Sequence, residues 1–179
     1  EEIVFDKRVL ESRPKDSHDI MGVFKIVSDR NEMNQTPGSY GELVEIIKRR
    51  HFIMMKERTE VGPGQFKEKV NRAGNTTFVH PDYIKGTLEK GFEIYSSLID
   101  PIAKAIFISY LISETHLFND GNGRLCRIMF NSELVKENLS TMIIPPVFRE
   151  DYLLSLRALS RRERPSPLIK MFKRALGFS

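Results

Sequence analysis

The sequence predicts a mostly α-helical domain, about six to eight helices with a single β-hairpin. Three observations carry that expectation. Apolar residues recur at helical spacing in two long stretches: Leu43, Ile46, Ile47, Ile53 and Met54, then Ile102, Ala103, Ile106, Phe107, Tyr110 and Leu111. Asp100-Pro101 sets an N-cap residue before a proline suited to the first helical position. Only one segment, around Asn71-Arg72-Ala73-Gly74-Asn75, reads as two short extended arms about a turn.

Taken in order, residues 1–39 form an N-terminal segment that is polar and broken by Arg13-Pro14 and Thr36-Pro37-Gly38, with a short helix over Ile20 to Val27. Residues 40–179 are read as the main domain. Its first helix runs from Tyr40 to about Lys56 and stops before Val61-Gly62-Pro63-Gly64. The hairpin arms are Gln65 to Val70 and Thr76 to His80. Pro81-Asp82 opens a helix to about Leu98, and Asp100 caps a central one that looks largely buried. A further helix carries Leu125, Ile128, Met129 and Leu134, and Pro145-Pro146 breaks it off. Leu153, Leu156 and Leu159 mark the next helix, and Ser166-Pro167 starts a last one through Leu176.

The bulk numbers exclude little but point consistently. A chain of 179 residues buries roughly 70% of its unfolded surface without staples. A net charge of +4 fits an anionic ligand but is too weak to argue for nucleic acid. The basic run Arg157, Arg161, Arg162 and Arg164 reads as a solvated helix end. No apolar run has the length of a membrane span, and no signal peptide is visible. The one cysteine, Cys126, cannot form an internal disulfide; it reads as a small buried residue and suggests a reducing, cytoplasmic setting.

The chemistry concentrates in His116-Leu-Phe-Asn-Asp-Gly-Asn-Gly-Arg-Leu-Cys-Arg127, between the central helix and the next one. Gly121-Asn122-Gly123 can turn successive N–H groups toward one point, and the following helix adds its positive end. That makes an anion site suited to phosphate. Arg124 and Arg127 begin the helix, and two guanidinium groups beside such a nest suggest a polyphosphate. Asp120 would repel that anion unless a Mg²⁺ ion lay between them. His116 is the side chain best matched to taking a proton from a hydroxyl near neutral pH. Phe118 is expected in the core, fixing the loop. The residues by themselves suggest phosphoryl or nucleotidyl transfer to a hydroxyl.

The same stretch resembles the Fic (filamentation induced by cAMP) signature HxFx(D/E)GNGRxxR, and the resemblance extends from about Tyr40 to Tyr152. Leu117 stands where the family usually has Pro. The resemblance implies a helical bundle with a β-hairpin flap over the site, carried by Gly64-Gln65-Phe66-Lys67 through Thr77-Phe78-Val79-His80-Pro81. Lys67 stands where the family often has Arg. Thr76, Thr77, Phe78 and Val79 would dock a target segment. The implied reaction is AMP transfer from ATP to a Ser, Thr or Tyr hydroxyl of a target protein. His116 would be the general base and Asp120 the Mg²⁺ ligand. Gly121, Asn122 and Gly123 would cradle the α-phosphate, and Arg124 and Arg127 would bind the β- and γ-phosphates. Asn131 and Tyr152 match positions that can line the nucleotide pocket.

Many family members carry an inhibitory [ST]xxxE[GN] helix. Ser28 and Glu32 match it in part, with Met33 at the Gly/Asn position. Otherwise inhibition would come from an antitoxin-like protein, from oligomerisation or from residues outside this chain. Three other readings stand beside AMP transfer. The first is transfer of UMP, phosphocholine or phosphate, although the phosphate-transferring Doc branch departs from GNGR. The second is removal of AMP, which relies on an inhibitory Glu. The third is a non-catalytic nucleotide sensor or scaffold, which would need a lost His or Asp; both residues are present here.

Overall fold

Pro14 at the first position and Asp16 in the first turn start helix α1 (Pro14–Val27) earlier than the apolar pattern alone suggests. A computed structural model of the chain describes residues 3–6 and 8–177. Asp29 caps a single turn, α2 (Arg30–Met33), accepting hydrogen bonds from the Asn31 and Glu32 amides. Ser39 caps α3 (Tyr40–Met55), whose Leu43, Ile46, Ile47, Met54 and Met55 are buried. α1 lies along α3. Gly22 makes that approach possible, since a Cβ there would collide with the Met54 carbonyl.

After a 3₁₀ turn at Thr59–Val61 comes the hairpin, β1 (Arg72–Ala73) antiparallel to β2 (Thr76–Thr77), in the register Arg72 with Thr77 and Ala73 with Thr76. Gly74 turns it with φ of 57°. The ladder is shorter than the expected arms. The first arm gives its hydrogen bonds elsewhere: the Lys67 N–H donates to the Leu117 carbonyl at 2.9 Å, which docks that arm on the segment after the central helix.

A 3₁₀ turn at Pro81–Tyr83 leads into α4 (Ile84–Ser97). Asp100 caps α5 (Pro101–Thr115), accepting from the Ala103 amide at 2.7 Å as the sequence suggested. Its buried side is Ala105, Ile108, Leu111, Ile112 and Thr115, whereas Ile106, Phe107 and Tyr110 are half-buried and Ile102 is exposed. α5 packs against α6 (Asn122–Lys136) and α4, and the core gathers around α3, α5 and α6.

Arg50 of α3 is fully buried in this core. Its guanidinium donates to the Glu32 carboxylate at 2.9 Å, to the Gln35 carbonyl at 2.9 Å and to the Met129 sulfur. Arg49 adds a second ion pair to Glu32 at 2.9 Å. Ser28 and Glu32, the partial match to the inhibitory motif, lie at this junction. The Glu32 carboxylate is turned to Arg49 and Arg50 and ties α2 to α3; among the described residues it has no bond to Arg124 or Arg127. Ser28 hydrogen-bonds the Phe24 carbonyl, closing α1.

The chain divides into two compact units, residues 1–136 and 137–179. The first unit holds α1 to α6 and the hairpin. In the second unit a 3₁₀ turn at Pro146–Phe148 precedes α7 (Arg149–Arg162) and α8 (Ser166–Leu176). These pack through Tyr152, Leu156, Leu168, Met171 and Phe172, with the Tyr152 and Phe172 rings edge to face at 6.0 Å. Among the described residues no helix is long and apolar enough to cross a membrane.

Candidate active site

The stretch from His116 to Arg127 leaves the end of α5 and enters the start of α6. His116 itself turns the chain, in the left-handed region with φ of 49°, and its N–H closes α5 on the Ile112 carbonyl. Such a conformation costs a non-glycine residue of order 1 kcal/mol and persists only where neighbours hold it. The neighbours here come from the flap. Asn71 donates from Nδ2 to the His116 carbonyl at 3.4 Å and the Phe118 carbonyl at 3.0 Å, and the Phe78 ring stacks on the imidazole at 3.9 Å.

The loop is fixed from within as well. The Asn122 amide bridges it, accepting from the Phe118 N–H at 2.9 Å and donating to the Phe118 carbonyl at 2.8 Å. Its side chain is thereby committed to the loop, so any contact Asn122 makes with a phosphate falls to its backbone N–H. Gly121 has φ of 81°, and a Cβ on it would meet Met54, Met55 and His51. Phe118 is fully buried, as expected, and stacks on His51 with ring centroids 3.7 Å apart.

His51 is a residue the sequence did not single out. It is fully buried on α3. Nδ1 accepts from the Gly64 N–H at 2.9 Å, which assigns the proton to Nε2, 3.0 Å from the Asp120 carbonyl. Burial pushes its pKa down to about 4, so it is a neutral strut that fixes the motif loop against the turn at Gly64.

Beyond His51 the loop carries charge. Asp120, Arg58, Asp19 and Arg124 form a closed ring of alternating sign. Arg58 Nη1 donates to Asp120 Oδ2 at 2.7 Å and to Asp19 Oδ2 at 3.1 Å. Arg124 pairs with Asp19 and, at 3.5 Å, with Asp120. Asp19 comes from α1 and is only 5% exposed, so the partly irregular start of the chain reaches the site directly. Neither Asp19 nor Arg58 carried a sequence signal, because each is a lone charge in a polar stretch. Burial alone would raise the Asp120 carboxyl, but the Gly121 N–H and Arg58 outweigh it and hold it below the usual carboxylate range.

Arg127 is exposed on the same α6, and no hydrogen bond or ion pair holds its guanidinium among the described residues. Asn131, one turn further along that helix face, is half-buried. Cys126 is buried, its sulfur against the Gly123 carbonyl. Asn122 and Gly123 open the first turn of α6, where backbone N–H groups have no acceptor inside the helix. Of the flap residues, Phe78 reaches His116, Val79 packs on the core, and Thr76 and Thr77 form β2. Tyr152 lies in the second unit, buried against Phe172.

Burial holds the His116 imidazole below its ordinary pKa, and the Lys67 ammonium pushes the same way. Asp120 and the Ser113 backbone oppose this without reversing it. The lowering favours the unprotonated ring, the form that accepts a proton. As a metal ligand Asp120 offers one half-exposed carboxylate, and among the described residues no cluster of three ligating side chains exists. That donor set fits Mg²⁺ completed by phosphate oxygens and water, and not an all-protein cage.

The Fic/DOC family model matches residues 42–134, a span that contains this whole loop and its helices. The chain belongs to the Fic/DOC family. It is 26% identical over 117 residues to the protein adenylyltransferases fic-1 of Caenorhabditis elegans and of Caenorhabditis briggsae. Each match covers 63% of this chain and 23% of the relative, so the chain spans about a quarter of those proteins. Among solved structures, a fragment of C. elegans Fic-1 superimposes with a TM-score of 0.75 at 17% identity, covering 98% of this chain and 53% of the other. A Fic family protein from Desulfovibrio desulfuricans gives 0.76 at 17% identity, covering 99% and 57%. A Fic domain containing protein from Bacteroides thetaiotaomicron gives 0.69 at 17% identity, covering 92% and 67%. At these identities the structures establish the Fic fold, a helical bundle with a small hairpin, and nothing finer.

Proposed function

We propose that this chain transfers AMP from ATP to a Ser, Thr or Tyr hydroxyl of a target protein, with Mg²⁺ held at Asp120. The observation that carries the reading is a half-buried His116 imidazole at one end of a short loop whose other end enters the N-terminus of α6, the helix that carries the exposed Arg127. The printed name of the curated relatives, protein adenylyltransferase, supports the same reaction.

In this mechanism the target hydroxyl gives its proton to His116 as its oxygen attacks the α-phosphorus of ATP. The bond from the α-phosphorus to the oxygen bridging to the β-phosphate breaks, and pyrophosphate leaves. The N–H groups of Asn122 and Gly123 would face the oxygens of the α-phosphate, where negative charge develops, and the Gly121 N–H, which donates to Asp120 Oδ1 at 2.6 Å, would join them only as Asp120 changes partner. Arg127 and Arg124 hold the leaving pyrophosphate, Arg124 by exchanging Asp19 for phosphate. A bound Mg²⁺ would supply positive charge between Asp120 and the phosphate oxygens. The flap residues from Thr76 to Val79 would lay the target segment beside His116.

The test is incubation with α-labelled ATP and Mg²⁺ in a cell lysate, beside His116→Ala. Label on protein that disappears in His116→Ala is expected. Label from the γ-position and not the α-position would replace AMP transfer with phosphate transfer.

A further inference from the structure

Lys67 is a buried cation without a counter-ion. It is 2% exposed, and among the described residues no carboxylate pairs with it. Its ammonium donates to Asn71 Oδ1 at 2.8 Å and to the Thr115 carbonyl at 3.1 Å, both neutral. A buried charge with only neutral partners is costly. Were the position a matter of packing alone, an apolar side chain of similar length would serve it better.

The surroundings point to a use. The Thr115 carbonyl belongs to the last turn of α5, where the helix dipole is negative and a cation is favoured. The next residue is His116. Asn71, which Lys67 holds by its oxygen, spends its nitrogen on the carbonyls of His116 and Phe118. Its backbone carbonyl accepts from the Phe78 N–H at 3.2 Å, and Phe78 is the ring stacked on the imidazole. One side chain and its neutral partner therefore fasten both the turn that carries His116 and the aromatic ring that covers it.

We propose that Lys67, acting through Asn71, is a positioning residue for His116: it latches the flap onto the His116 turn and keeps a positive charge beside the imidazole. The inference rests on the reading of His116 as the proton acceptor. Two further observations agree with it. Burial pushes the Lys67 pKa down to about 8, which still leaves the ammonium protonated at neutral pH. Asp120 and the Ser113 backbone both favour the protonated imidazole. Lys67 and burial are what oppose them.

The experiment is a histidine NMR titration of the whole chain. With only four histidines, the ring signals of His116 can be followed against His51 and His80 as internal references. In Lys67→Met the His116 pKa should rise by on the order of one unit, and in Lys67→Arg it should stay at the wild-type value. An unmoved His116 in a folded Lys67→Met protein would overturn the electrostatic role. Asn71→Ala tests the latch separately, since it leaves the ammonium in place. There the ring-current shift that Phe78 imposes on His116 should collapse, and an unchanged shift would overturn the latch. No step of this measurement needs AMP transfer. Titrations that behave as stated in a protein that transfers no AMP would sink the proposed reaction and leave the positioning role standing.

Discussion

The two ends of the His116–Arg127 loop are held by different physics. The His116 end is fastened by neutral hydrogen bonds from Asn71, by the stack on Phe78 and, behind it, by Phe118 against His51. The Asp120–Arg124 end is fastened by ion pairs to Arg58 and Asp19. Neutral, directional contacts in a low-dielectric setting keep one geometry before and after a ligand arrives. Ion pairs to a guanidinium can be traded for a phosphate, whose oxygens offer the same bidentate match. On the proposed reaction, one end is prebuilt for proton transfer, and the other is charge-balanced until an anion takes over a partner.

The largest effect should come from breaking the prebuilt end at its chemistry. His116→Ala is expected to lower transfer by roughly 10²- to 10⁴-fold with ATP binding retained, read by α-label incorporation and calorimetry side by side. Next is the hinge between the two ends. Gly121→Ala puts a side chain at φ of 81° against Met54, Met55 and His51, and should cost about 2–4 kcal/mol in denaturant unfolding. Third is the strut. The folded pKa of His51, about 4, lies below its ordinary 6.5, so its contribution is present above pH 6.5 and is lost as pH falls toward 4. The loss should reach up to about 3 kcal/mol, and His51→Gln should flatten that limb in metal-free thermal melts. The smallest effect sharpens the comparison at the charged end. Asp19→Asn releases Arg124 and should tighten ATP binding several-fold, on the order of 1 kcal/mol, while weakening the α1 anchor; weaker ATP binding would contradict the exchange.

The prebuilt end was largely legible in the sequence, and the charged end only in half. His116, Phe118 and Gly121 announce themselves because a loop of fixed spacing must place each of them, and the caps at Ser39 and Asp100 act within one helical turn. Asp19 and Arg58 did not, since Asp19 reaches Arg124 from 105 positions away in the chain and Arg58 reaches Asp120 from 62. Tertiary packing brings them there, through the close approach of α1 to α3 at Gly22, and no local pattern encodes it. The same holds for Glu32. Its local context resembled an inhibitory helix, but the buried Arg50 at 2.9 Å took its carboxylate. The hairpin arms came out short because Lys67 turns inward to α5, a choice that alternation along the arm does not reveal.

The most direct measurement is arginine and histidine side-chain NMR during titration with ATP and Mg²⁺. Large shifts are expected at the guanidinium signals of Arg124 and Arg127, and at Arg58 as Asp120 changes partner. Little movement is expected in the ring of His51. Arg124 signals that stay unmoved at saturating nucleotide would show that the Asp19 pair persists, and would contradict the exchange on which the charged end depends.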